Sequence, residues 1–235
     1  MTEALYMTDS YIKEFEAEVQ EVKNGKEAIL SRTAFYPSSG GQPTYTGTMV
    51  SGGREFIVTQ CKKENELIIH SLNDEGLFPG MKVKGMIDWQ RRYMLMRMHT
   101  AAHLLSQVLY KDTGAMITGN QLDVDKSRID FALAQYDPDK FREYIAEANR
   151  IIAQDLPISI SFMPREDVLK NPSLSRLAKG IPVSFPTLRI VAIGDFDVQT
   201  DGGTHVKSTK EIGNIALLKM ENKGKNNRRL YFSLP

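Results

Sequence analysis

Cysteine is almost missing from this sequence: Cys61 is the only one in 235 residues. An intramolecular disulfide is therefore excluded, and a lone thiol accords with a reducing compartment, so the expected location is the cytoplasm. Long apolar runs are missing too. No stretch reaches the roughly 20 residues of a membrane span, and the acidic N-terminal stretch lacks the basic and apolar regions of a signal peptide. A soluble, unprocessed chain is expected. Excess charge of either sign is also absent: 30 Lys and Arg stand against 29 Asp and Glu, for a net charge of +1. The whole molecule then exerts little long-range pull on a polyanion, and any nucleic-acid contact has to be local. Internal repeats and low-complexity segments are lacking as well, which sets aside solenoid architectures.

What is there is ordinary globular composition, 41% hydrophobic and 25% charged, with enough length for two domains. From Ile12 to Asp88 short β-type runs are broken by turn residues: Ala28 to Ala34, Thr46 to Met49, Phe56 to Thr59, Leu67 to His70 and Lys82 to Ile87. Ser38-Ser39-Gly40-Gly41, Ser51-Gly52-Gly53 and Pro79-Gly80 punctuate them, a density of turns that fits a small β domain of barrel type. From Arg91 the period changes. Tyr93, Met94, Met98, Ala101, Ala102, Leu105, Val108 and Leu109 recur at helical spacing up to Gly114, which predicts one long amphipathic helix. Asp137-Pro138 signals the start of a second helix carrying Phe141, Tyr144, Ile145, Ala148 and Ile152, and Pro157 lies beyond its end. Ile158 to Met163, Leu188 to Ile193 and Ile215 to Met220 read as strands, with a short helix at Arg165 to Lys170. The expected fold is α+β: a small β-barrel-like domain over residues 1–90, then an α+β domain over residues 91–235 with helices packed on a mainly antiparallel sheet.

The chemistry centres on His99-Thr100-Ala101-Ala102-His103. Residues four apart share a helix face, so two imidazoles can converge on one ion. His205, in Asp201-Gly202-Gly203-Thr204-His205, sits in a Gly-rich loop that can bring a third imidazole close, with Asp201 as a candidate oxygen ligand. His70 lies in a β-type run without a partner at ligand spacing. Zincin proteases need Glu directly after the first His, and Thr100 stands there instead, which argues against peptide cleavage by that route. Lys219, Lys223, Lys225, Arg228 and Arg229 crowd together with only Glu221 opposing them: either a solvated hairpin end or a local polyanion contact.

Four segments then fall into a recognisable order: Phe35-Tyr36-Pro37-Ser38-Ser39-Gly40-Gly41-Gln42-Pro43, Arg97 to His103, Gly202-Gly203-Thr204-His205-Val206, and Glu211-Ile212-Gly213 leading into Arg228-Arg229. In these the chain resembles the free-standing alanyl-tRNA editing proteins, relatives of the editing domain of alanyl-tRNA synthetase, in the form with an extra N-terminal domain. The resemblance implies hydrolysis of serine, with glycine as a second candidate, from tRNA for alanine at one zinc ion per chain. It implies His99, His103 and His205 as ligands. The family commonly has Cys where this chain has Asp201, so the shell becomes three His with one Asp, or three His with water if Asp201 turns away. Relatives also often carry Asp at the position of Tyr45, to which no role is assigned.

By the same resemblance Thr118 falls where the family senses serine, against the alternative of a turn threonine bonding its own backbone. Gly40, Gly41 and Gln42 are expected near the terminal adenosine or the developing oxyanion, against a purely structural turn. The acceptor stem of the tRNA is the expected partner of Lys223, Lys225, Arg228 and Arg229, extended by Lys207, Lys210, Arg91 and Arg92. An ion at the site would either activate water or fix the substrate's end. Two rivals stay open: a threonyl-type deacylase, disfavoured by the Gly-Gly-Gln turn ahead of the histidine pair, and a tRNA-binding module with a structural metal.

Overall fold

The computed structural model describes residues 2–135, 137–174 and 186–235. It divides into two compact units, Met1–Met94 and Leu95–Pro235. Eight strands build the first: β1 (Glu3–Ala4), β2 (Glu14–Lys23), β3 (Glu27–Leu30), β4 (Arg32–Thr33), β5 (Gly47–Ser51), β6 (Arg54–Glu64), β7 (Leu67–Leu72) and β8 (Lys82–Ile87). Six of them close an antiparallel barrel in the order β2-β3-β7-β6-β5-β8, and β1 pairs in parallel with β4. The barrel expected from the turn density is present, but one of its two long strands, β2, was not among the runs anticipated. Strand β2 buries Phe15, Ala17 and Val19 and exposes Glu14, Glu16 and Glu18 between them, the period-2 alternation of a strand with one wet face. The run Ala28 to Ala34 breaks at Ser31, whose N–H donates to Glu18 O and whose Oγ accepts from Glu18 N.

Strand β6 carries a register shift between Val58 and Gln60. That irregularity moves the inward phase from Phe56 and Val58 to Cys61. Opposite Phe15 in the β2–β8 ladder stands Gly85, where a Cβ would come within 2.4 Å of the Phe15 ring. The missing side chain is what lets the aromatic lie against the wall.

His70, on β7, is a core histidine. It is fully buried, with Nε2 2.9 Å from Thr33 Oγ1 and Nδ1 3.0 Å from Ala28 O. Burial pulls its pKa down from 6.5 to about 4. A base whose folded pKa lies below its unfolded value takes up its proton in the unfolded chain first, so its contribution to stability is complete above pH 6.5 and is lost as pH falls towards 4. The expected loss across that window is about 3 kcal/mol. Urea unfolding at stepped pH, wild type against His70→Gln, checks it: the variant should lack this component of acid sensitivity, and equal pH slopes would refute it.

The division between the units falls inside α1 (Trp89–Thr113). The Asp88 carboxylate accepts from the Arg91 N–H at the start of this helix, and Gly114 at φ +67° follows its end, a residue suited to the left-handed position after a last turn. The second unit continues with β9 (Ile117–Gln121), β10 (Ser127–Ala132), α2 (Pro138–Ala153), β11 (Ile158–Pro164), α3 (Arg165–Leu169), β12 (Thr187–Ile193), β13 (Asp197–Thr200), β14 (Ala216–Asn222) and β15 (Asn227–Ser233). Asp137 caps α2, its carboxylate accepting from the N–H groups of Asp139 and Lys140. Phe141, Tyr144, Ile145, Ala148, Ile151 and Ile152 form the buried stripe of that helix. The expected antiparallel architecture is present, divided between two sheets, β14-β15-β10-β9 and β11-β12-β13. No helix among the described residues is long and apolar enough to cross a membrane.

Candidate metal centre

Helix α1 sets His99 and His103 one turn apart, and the loop leaving β13 supplies Asp201 and His205. Arg189, a buried residue of β12, holds that loop: its Nη1 donates to Asp201 O at 3.0 Å and to Gly203 O at 2.8 Å. The Asp201 carboxylate in turn accepts from Gly203 N at 2.6 Å. One ligand atom from each of His99, His103, Asp201 and His205 falls within a cluster no wider than 4.8 Å.

Asp201 faces the three imidazoles. Its Oδ1 is 3.5 Å from His99 Nε2 and 3.7 Å from His103 Nε2, and its Oδ2 is 3.0 Å from His205 Nε2. A tetrahedral ion with bonds of about 2.0–2.1 Å separates its ligands by about 3.3 Å. The carboxylate-to-imidazole separations bracket that edge length, so the residues present fit an ion of this kind. His99 and His205 are buried, whereas the side chains of His103 and Asp201 keep 15% and 18% of their exposure, so one side of the cluster is accessible.

Burial drives His99 down to about 4, and drives His205 well below its ordinary value, so both rings are neutral. For His103 burial also pulls down, but the carboxylates of Asp197 and Asp201 outweigh it and raise the group to about 9. Burial would raise Asp201, and the surrounding histidines reverse this, holding the carboxyl well below its usual range. Asp197 lies behind His103, Oδ2 to Nδ1 at 3.8 Å, and is itself buried.

The other expected site residues have the following surroundings. Thr118 is exposed on β9 and its hydroxyl donates to Asn227 Oδ1 at 3.1 Å. Gly40 and Gly41, in the barrel unit, occupy an exposed turn with φ of +58° and +83°. Gln42 is buried in the barrel unit, and its amide Nε2 donates to Tyr45 Oη at 3.0 Å.

Three arginines expected as phosphate contacts have guanidinium donors engaged within the protein. Arg92 is fully buried and donates to Ile12 O and Ala34 O. Arg228 is buried, its guanidinium wrapped by the carbonyls of Ala134, Gln135 and Gly224. Arg229 makes a two-pronged ion pair with Asp130, at 2.7 and 2.8 Å. Lys207, Lys210, Lys223 and Lys225 are exposed, Lys223 lying 3.6 Å from Glu221, and Arg91 is half-buried.

Sequence reasoning assigned no part to Arg97, Arg189, Asp197 or Glu211. Arg97 reaches across the second unit to Ile212 O with both Nε and Nη2, and the Glu211 carboxylate accepts from the N–H groups of Lys207 and Ser208. The Arg97 bonds tie the segment around His99 to the one after His205. A signal existed for Asp197, an acidic residue in the strand that runs into the ligand loop.

Matches to known families agree with this architecture. Residues 3–91 match the class II (A) tRNA synthetase model, and residues 188–231 match the threonyl and alanyl tRNA synthetase second additional domain. Fold and cluster thus place the chain among synthetase-related editing modules. It is 49% identical to the alanyl-tRNA editing protein AlaX-M of Methanosarcina barkeri, over 100% of this chain and 99% of that protein, and 46% identical to AlaX-M of Saccharolobus solfataricus, with the same coverage. The alanine–tRNA ligase of Pyrococcus abyssi is 39% identical over 94% of this chain, which spans 24% of the ligase. The chain belongs to the AlaX-M family of alanyl-tRNA editing proteins.

Proposed function

We propose that the protein removes serine, and glycine as a second substrate, from mischarged tRNA for alanine, by hydrolysis at a zinc ion held by His99, His103, His205 and Asp201. The observation that carries this is the cluster of three imidazoles and one carboxylate, whose ligand atoms lie within 4.8 Å of one another and which keeps one accessible side. Accessibility favours a reactive centre over a structural metal, which is closed by protein ligands. When bound, the ion would supply Lewis-acid chemistry, activating water or fixing the end of the substrate.

The protein's own residues divide the remaining work. Thr118 donates its proton to Asn227, which leaves its oxygen to accept from a serine hydroxyl. An alanine side chain offers no such proton, so cognate alanyl-tRNA forgoes this bond. An editing site of this kind is needed because a synthetic pocket built for alanine cannot shut out glycine, and rejects an isostere with one added hydroxyl only about a hundredfold. The four exposed lysines and Arg91 serve as acceptor-stem contacts, and Gly40 and Gly41 offer backbone N–H groups to the tRNA. Residues 1–90 act in tRNA discrimination and residues 91–235 form the editing domain. Phosphate contacts of this kind make binding weaken as salt rises.

The test is deacylation of tRNA for alanine charged separately with serine, glycine and alanine. Release of serine and glycine with alanine spared is the expected result. No release of any amino acid by zinc-loaded protein would sink the hydrolase reading.

A further inference from the structure

Thr100 stands where a zincin would place its catalytic Glu, and it is fully buried, so it is removed from bulk water. Its Oγ1 has three neighbours: Met96 O at 2.9 Å, His205 Nδ1 at 3.1 Å and Val206 N at 3.4 Å. A hydroxyl has one proton to give and two lone pairs to receive. The Met96 carbonyl can only accept, so the Thr100 proton goes there. The Val206 N–H can only donate. His205 Nδ1 must then also be a donor, so in the neutral ring, the form that binds a metal, the proton sits on Nδ1 and the lone pair on Nε2. That lone pair faces Asp201 Oδ2 at 3.0 Å. Two acceptors at that separation repel unless a cation or a shared proton lies between them.

We infer that Thr100 is a positioning residue: through its bond to Nδ1 it selects the tautomer of His205 and aims Nε2 into the metal centre. This rests on the reading of the cluster as a metal site. One helix residue thereby ties the loop that bears the third imidazole to the turn of α1 that bears the first. The hydroxyl does so with its single proton already committed within the helix, so it cannot rotate to offer that proton to the ring and reverse the tautomer. Valine has nearly the same shape and can neither accept nor donate, whereas serine keeps the oxygen.

The experiment compares wild type, Thr100→Val and Thr100→Ser by zinc affinity, measured in competition with a chromophoric chelator, and by nitrogen-15 NMR of the His205 ring in metal-free protein. Thr100→Val should bind zinc about 10–100-fold more weakly and lose the preference for the Nδ1–H tautomer, and Thr100→Ser should restore both. A metal-free wild type with its proton on Nε2, or a Thr100→Val protein with wild-type zinc affinity and tautomer, would overturn the inference. The wild-type tautomer decides even if the valine variant fails to fold. Were the wild type to bind no zinc, the metal reading would fall while the ring spectrum still decided the role of Thr100.

Discussion

His103→Ala should empty the metal centre. Its zinc affinity should fall by more than the ~10–100-fold that follows loss of an outer-shell partner, and release of serine from mischarged tRNA should fall with it. His103 is one of the two partly exposed members of the cluster and the one backed by a second carboxylate, Asp197. Its ring centroid lies 5.1 Å from that of His99 and 4.8 Å from that of His205, so the ring closes a triangle that the other two leave open. Asp201→Ala is the instructive contrast. It leaves three imidazoles, a set that holds zinc in known catalytic sites with water as the fourth ligand, so affinity should weaken without vanishing. Metal content after dialysis, read beside the deacylation rate, checks both variants. Full occupancy without His103 would refute the ligand assignment, and complete loss on removing Asp201 alone would mean that the carboxylate, rather than the imidazoles, dominates the site.

The helical half of this site was readable because a period of 3.6 residues leaves a long signature: α1 and α2 both emerge from their apolar spacing, and α2 also from Asp137-Pro138. Strands with a wet face were harder. In β2 every second residue between Glu14 and Val19 is glutamate, a weak strand former, so the alternation was present while the composition argued against it. Strands β9, β10, β13 and β15 run for only 4–7 residues, too short for period alone to separate from loop.

The burial of Arg92 and Arg228 was not legible for a different reason. Charge in a sequence suggests solvent, yet a guanidinium can be buried when carbonyls meet its donors. The pattern held a warning: Arg228 alternates with buried Leu230 and Phe232 on one strand face, and Arg92 shares the helix face of Met96, His99 and His103. Asp201 could not have been resolved from sequence at all, since whether its carboxylate turned into the site depended on how Arg189 and Gly203 hold the loop.

Arg92 gives the sharpest test of that lesson. Its guanidinium is fully buried in the first unit, donating to Ile12 O at 2.6 Å and Ala34 O at 2.9 Å, with Cζ 4.8 Å from the Tyr45 ring centroid. Burial lowers its pKa from the usual value, but an arginine stays charged in any case. Arg92→Met removes the fork and leaves two carbonyls buried without these donors, at about 1–3 kcal/mol each, and it forfeits a cation–π contact of about 1 kcal/mol. The added apolar contact offsets only part of this, so a net loss of about 3 kcal/mol is expected. Arg92→Lys should recover little, because one ammonium on a flexible stem cannot span two divergent carbonyls as the planar fork does. The only tryptophan of the chain, Trp89, stacks on Tyr93 within the same unit, so its fluorescence reports urea unfolding where the substitution acts. A phosphate contact would behave in the opposite way: stability unchanged within about 0.5 kcal/mol, as at ordinary surface sites, and tRNA affinity reduced with a shallower salt dependence. A stable Arg92→Met protein with that binding defect would return Arg92 to the tRNA surface.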